Sequence, residues 1–124
     1  MYKTVLVEQM IVDGKRLLKA LMKKQMPISA AVWFYDPEKS SWKLYIVTPV
    51  ATQPGPLEAY MRMQPVVSEL NGSFALDDII VLSPTSTRFR QFQREIEGAS
   101  GMTLLDPKGA PRDISFDDAY IYRW

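Results

Sequence analysis

The chain has 124 residues, with 15 Lys+Arg against 14 Asp+Glu, a formal net charge of +1, and neither histidine nor cysteine. Near-balanced charge supplies no global field for nucleic acid or a membrane surface. The two missing residue types exclude Ser-His-Asp and Cys-His nucleophilic sets, zinc fingers, thiolate-held iron–sulfur clusters and disulfides.

Hydrophobic residues make up 47% of the chain and aromatics 11%, which suits one globular domain with a real core. No apolar run is long enough to cross a bilayer. The opening residues MYKTVLVEQM lack a basic region followed by an apolar stretch. The expectation is a soluble, cytoplasmic domain with no membrane partner.

Residues 4–25 carry a helical pattern, with Leu6, Met10, Leu17 and Leu21 near one face and Ile11 and Leu18 beside them. Gly14 weakens the helix at its position. A second reading has a strand at 4–7 and a shorter helix over 14–25 capped by Asp13. The single long helix is preferred, stopped by Pro27.

Segments 30–35 and 42–48 are rich in aromatic and β-branched residues. They flank Asp36-Pro37-Glu38-Lys39-Ser40-Ser41, which has turn chemistry throughout. A hairpin about that turn pairs Tyr35 with Trp42, Trp33 with Leu44 and Ala31 with Ile46, all on one face. The other face carries Ala30, Val32 and Phe34 against Lys43, Tyr45 and Val47. Two apolar faces place this hairpin at the centre of a sheet.

Pro56 suits the first position of a second helix, continued by Leu57, Tyr60, Met61 and Met63. Pro65 predicts a kink or a new helical turn to Leu70, and Asn71-Gly72 ends the helix. The run Ile79-Ile80-Val81-Leu82 reads as a strand buried on both faces. Ser83-Pro84-Thr85-Ser86-Thr87 leads into a third helix, with a Phe89, Phe92 and Ile96 stripe and Gly98 closing it. Strand, helix and later strand predict a right-handed crossover. Segment 102–105 carries a short-strand pattern, 106–111 is a loop, and 119–124 is a closing strand. The fold class is α+β: a single-domain layer sandwich. It has a mixed sheet of four to five strands, centred on the antiparallel hairpin (30–35 and 42–48) and packed by about three helices.

Four features have chemistry to offer. Ser83, Thr85, Ser86 and Thr87, with Arg88 and Arg90, stand at the carboxyl end of a buried strand and the amino end of a helix. There, free backbone N–H groups, hydroxyls and arginine suit a phosphate or carboxylate. The same hydroxyls also serve as ordinary helix caps, and no glycine-rich phosphate loop accompanies them. Lys15, Arg16, Lys19 and Lys23, with Lys24 beside them, share a narrow arc of the first helix. No acid stands four positions from any of them. Such a stripe follows a nucleic-acid backbone or meets an acidic partner, or is simply a solvated surface.

The doubled acids Asp77-Asp78 and Asp117-Asp118 precede predicted strands. Neighbouring strand residues face opposite ways, so neither pair makes a bidentate clamp, and no metal set assembles. Strand-edge and capping roles fit them better than a magnesium-dependent phosphodiesterase. Most of the aromatics belong to the core. Tyr122 and Trp124, near the terminus, are the candidates for an exposed or dimer-forming patch.

The runs Asp13-Gly14-Lys15-Arg16-Leu17-Leu18-Lys19-Ala20-Leu21, Ala31-Val32-Trp33-Phe34-Tyr35-Asp36-Pro37 and Trp42-Lys43-Leu44 resemble a group of small uncharacterised prokaryotic proteins. The resemblance covers about the first half of the chain. It implies a bacterial or archaeal origin and no activity. The residues themselves point to a non-catalytic binding or interaction module that requires no cofactor, with self-pairing as a homodimer as one form of it. Nucleic-acid association through the basic helix is the alternative.

Overall fold

In a computed structural model, residues 8–36, 38–100, 114–115 and 119–123 are described. Three helices, α1 (Glu8–Lys23), α2 (Pro56–Leu70) and α3 (Thr87–Ser100), pack on a five-stranded sheet. Its strands are β1 (Ala30–Asp36), β2 (Ser41–Val47), β3 (Ile79–Leu82), β4 (Ile114–Ser115) and β5 (Ala119–Arg123). The spatial order is β3-β2-β1-β5-β4. Only the β2–β3 pair is parallel. The architecture is the mixed α+β layer sandwich that the sequence pattern predicts.

The hairpin forms in the expected register, with Trp33 opposite Leu44, Tyr35 opposite Trp42 and Ala31 opposite Ile46. Strand residues alternate between two faces. On one face Ala31, Trp33, Leu44 and Ile46 meet Leu17 and Leu21 of α1 and Ala59, Met63 and Val66 of α2. On the other, Val32, Val47, Leu82 and Ile121 meet Phe92, with Phe34, Tyr45 and Phe89 at the margin. Phe92 stacks on Tyr45 at a centroid distance of 4.2 Å. Two apolar faces and two helical layers explain why the hairpin alternates apolar on both sides.

Local details bear out some expectations and depart from others. The first helix runs straight through Gly14, as the preferred single-helix reading has it. Residues 4–7 lie outside the described residues. Helix α2 is continuous through Pro65, which is exposed, so the ring and the freed carbonyl face water. Asn71, with φ 48, takes the left-handed position that ends α2. Helix α3 passes Gly98 and reaches Ser100; an interior glycine costs a helix only about 1 kcal/mol. The expected crossover from β3 through α3 does not join neighbouring strands: the next described strand is β4, and β2, β1 and β5 lie between it and β3. The compact parallel unit is instead β2–α2–β3. Segment 102–105 and Asp117-Asp118 lie outside the described residues.

Candidate functional site

Because β2 and β3 are parallel, their carboxyl ends open onto the same edge of the sheet. The connection 48–55 leaves β2 there for α2, and 83–86 leaves β3 there for α3. Helix α2 covers one face of the sheet and α3 the other. Adjacent parallel strands whose outgoing helices take opposite faces create a crevice between their loops, the favoured ligand position in open α/β sheets.

Hydrogen bonds of Thr48 tie this edge together. Thr48, fully buried, donates from Oγ1 to the Pro27 carbonyl at 2.6 Å and accepts from Val50 N at 3.2 Å. Its backbone N–H donates to the Leu82 carbonyl at 3.0 Å. One residue thus joins the entry to β1, the exit from β2 and the end of β3. Gly55, at φ 136, admits the turn into α2, whose amino end has no side-chain cap.

Hydroxyls gather at the same edge. Thr52 Oγ1 and Ser83 Oγ share a short hydrogen bond across the crevice, and Ser83 Oγ lies 3.0 Å from Thr85 Oγ1. Ser83 Oγ also accepts from Thr85 N at 3.3 Å. Ser86 has a separate task. Its Oγ accepts from Phe89 N at 3.1 Å and donates to the Ser83 carbonyl at 2.8 Å, which caps α3. Of the six residues singled out in this turn, Ser86 is therefore committed to the helix. Thr87, Arg88 and Arg90 are exposed on the first turn of α3. Burial raises the Tyr45 phenol above its usual range, while the Arg88 charge pulls it the other way.

Cations collect at this same edge. Ala30, where β1 begins, pairs with Val47, where β2 ends, so the end of α1 with Lys23 and Lys24 lies here too. Among the described residues, the connections 24–29, 48–55 and 83–86 at this edge contain no Asp or Glu. Acids lie at the opposite edge instead, with Asp36 and Glu38 in the hairpin turn and Asp77 and Asp78 before β3.

The other sequence-derived candidates separate. Lys15, Arg16, Lys19 and Lys23 are all exposed along α1. Arg16 reaches back to Asp13, three positions earlier, at 3.5 Å. Tyr122 is not on the surface. It is 6% exposed and accepts from Trp33 Nε1 at 2.8 Å, so its ring and hydroxyl belong to the core. An alternating strand sends Tyr122 to the α1 face, which is why it cannot serve a dimer patch. Trp124 lies outside the described residues. Asp78 accepts from Ala75 N at 3.0 Å and pairs with Lys43 at 3.7 Å, which is the work of a strand-edge cap. Among the described residues, no three acids come together as a metal-holding group.

Residue-type reasoning missed three residues that organise the structure. Asp13, 3% exposed, accepts from Ser73 Oγ at 2.7 Å, Ser73 N at 2.8 Å and Gln9 Nε2 at 2.9 Å. Those bonds from Ser73, then Gln9 and Arg16, hold its carboxyl below the usual carboxylate range against the opposing effect of burial. The signal was available: Asp13 sits four before Leu17, in the apolar stripe. Thr48 carried no signal beyond a threonine at a strand end. Tyr60 closes the outer edge of β3. Its hydroxyl accepts from Val81 N at 3.0 Å and donates to the Ile79 carbonyl at 3.3 Å.

Compared with protein-family models, curated proteins and solved structures, the chain matches none of them.

Proposed function

We propose that this chain is a non-catalytic binding module that holds an anionic group, a phosphate or carboxylate, at the carboxyl edge of β2 and β3. The observation that carries this reading is the contact between the 48–55 and 83–86 connections at that edge. Two loops from adjacent parallel strands meet there through Thr52 and Ser83, and α2 and α3 start from it on opposite faces. Helix amino ends present unpaired N–H groups and a partial positive charge, about half an elementary charge each. Hydroxyls and two exposed arginines add donors; the described connections at this edge contain no acid, and Glu58 in the first turn of α2 is paired with Arg62 at 3.2 Å. These groups hold anions well and transfer protons poorly at neutral pH.

Self-pairing finds less support. Tyr122 is in the core, and Tyr60 occupies the backbone groups that a second copy would need along β3. The basic residues of α1 favour one extension of the reading. They lead to the same edge, so the anion fits equally as one phosphate of a nucleic-acid strand.

The test is amide chemical-shift mapping with inorganic phosphate against chloride at constant ionic strength. Saturable shifts at Thr52, Ser83, Thr85 and Thr87, abolished in Thr52→Val/Ser83→Ala, support the site. Shifts that are absent or spread over the whole surface refute it. For the extension, an oligonucleotide should bind with steep salt dependence and lose affinity in Lys19→Glu/Lys23→Glu. Salt-independent binding removes the extension and leaves the anion site standing.

A further inference from the structure

We propose a second binding site, for a neutral polyhydroxyl ligand such as a short sugar, in the groove at the opposite edge of the sheet. The groove has a volume of about 560 Å³ and lies between the end of α2 and the segment leading into β3. That volume is within the usual range for small-molecule sites, roughly 300–1,000 Å³. Gln64, Ser68 and Asn71 line one side, and Ser73, Phe74 and Asp78 the other.

The ligand class follows from charge and hydrogen-bonding capacity. The three side chains from α2 and its end are amides and a hydroxyl, which both donate and accept without charge. Among the described residues one carboxylate lines the groove, and it is already engaged: Asp78 accepts from Ala75 N and pairs with Lys43. Asp13, behind the wall, is saturated by Ser73, Gln9 and Arg16. Neither acid therefore offers an uncompensated charge to a cation. The last turn of α2 ends in outward carbonyls and carries no basic residue, which disfavours an anion. What fits is a ligand rich in hydroxyls, with C–H surface to lie against Val67, Phe74 and Leu76.

The wall is built in advance of any ligand. Ser73 is fixed through both its backbone N–H and its hydroxyl by one buried carboxylate. Phe74 stands edge-on to Trp33 at 5.1 Å. Gly72 lies so close to Asp13 that a Cβ there would come within 3.2 Å of the carboxyl. Fixing a surface loop on a buried charge is what a preorganised site needs, because less ordering is left to the moment of binding.

Saturation-transfer NMR with maltose, cellobiose and lactose tests this, with spermidine and inorganic phosphate as charged probes. The expected result is transfer to at least one disaccharide, with amide shifts confined to residues 64–78. Gln64→Ala/Ser68→Ala and, separately, Ser68→Arg should weaken it about tenfold or more without moving the melting temperature. Both positions are exposed on α2, so folding is untouched. Thr52→Val/Ser83→Ala should leave sugar binding intact, which keeps this result independent of the anion site. No transfer to any of the three sugars overturns the proposal. So does sugar binding indifferent to the α2 variants, or groove shifts from spermidine or phosphate in place of the sugars.

Discussion

The Tyr122 hydroxyl occupies the space beside Gly14 that any larger residue would need. A Cβ built on Gly14 would collide with the hydroxyl oxygen and lie 2.9 Å from Tyr122 Cζ and 3.0 Å from Trp33 Nε1. From that position the hydroxyl accepts from Trp33 and donates to the Ile11 carbonyl at 2.5 Å. A mid-helix glycine is thus required for close approach, at the point where α1, β1 and β5 meet.

Gly14→Ala should destabilise the fold by about 1–3 kcal/mol, as overpacking does, although alanine favours helices. Tyr122→Phe should cost about 1–3 kcal/mol by leaving the Trp33 N–H buried without its acceptor. The double variant should be less destabilised than the sum, because removing the hydroxyl makes room for the new Cβ. Urea unfolding of the four proteins measures this, and strict additivity would contradict the steric account.

Asp13 makes stability depend on acid pH. Its folded pKa is lowered, chiefly by the Ser73 hydroxyl. The stabilisation it supplies is therefore fully present above the unfolded value of 3.8 and is lost as pH falls through the folded value. Asp13→Asn should lower stability at neutral pH and flatten the acid limb of a stability–pH curve. An unchanged acid limb would show that Asp13 is not the linked group.

Tyr60 protects a sheet edge through its hydroxyl alone. Tyr60→Phe keeps the ring and frees Val81 N–H and the Ile79 carbonyl. Light scattering should show concentration-dependent association in the variant and not in the parent, as an unpaired edge recruits another strand.

Ser86 and Ser83 should separate by role. Ser86→Ala removes the α3 cap and should cost about 1 kcal/mol in thermal or urea unfolding. Ser83→Ala should change stability by less than about 0.5 kcal/mol and still weaken phosphate binding, because its hydroxyl is exposed and faces Thr52.

The elements legible from the residues are those with local causes. Alternating aromatic and β-branched residues set the hairpin and its register, since only one pairing buries both apolar sets. Ser86 at the entry to α3 and Asn71 at the exit from α2 follow cap chemistry read three or four residues at a time. The position of the turn 83–87, between a buried strand and a helix, was legible for the same reason. Its partner Thr52 was not. It lies 31 residues away on another loop, and a single threonine in a connection carries no period.

The sequence by itself determined the α+β class, the central hairpin, and the restriction of the chemistry to hydroxyls, amides, carboxylates and cations. Those follow from composition and from periods of two and 3.6 residues, which act over short stretches of chain. The tertiary structure alone decided which polar groups meet: Asp13 with Ser73 across 60 residues, Trp33 with Tyr122 across 89, and Thr52 with Ser83 across the crevice. It also took Tyr122 from a predicted surface patch into the core. Hydrophobic burial is non-directional and leaves a periodic trace, whereas a hydrogen bond between distant segments depends on how the layers stack and leaves none.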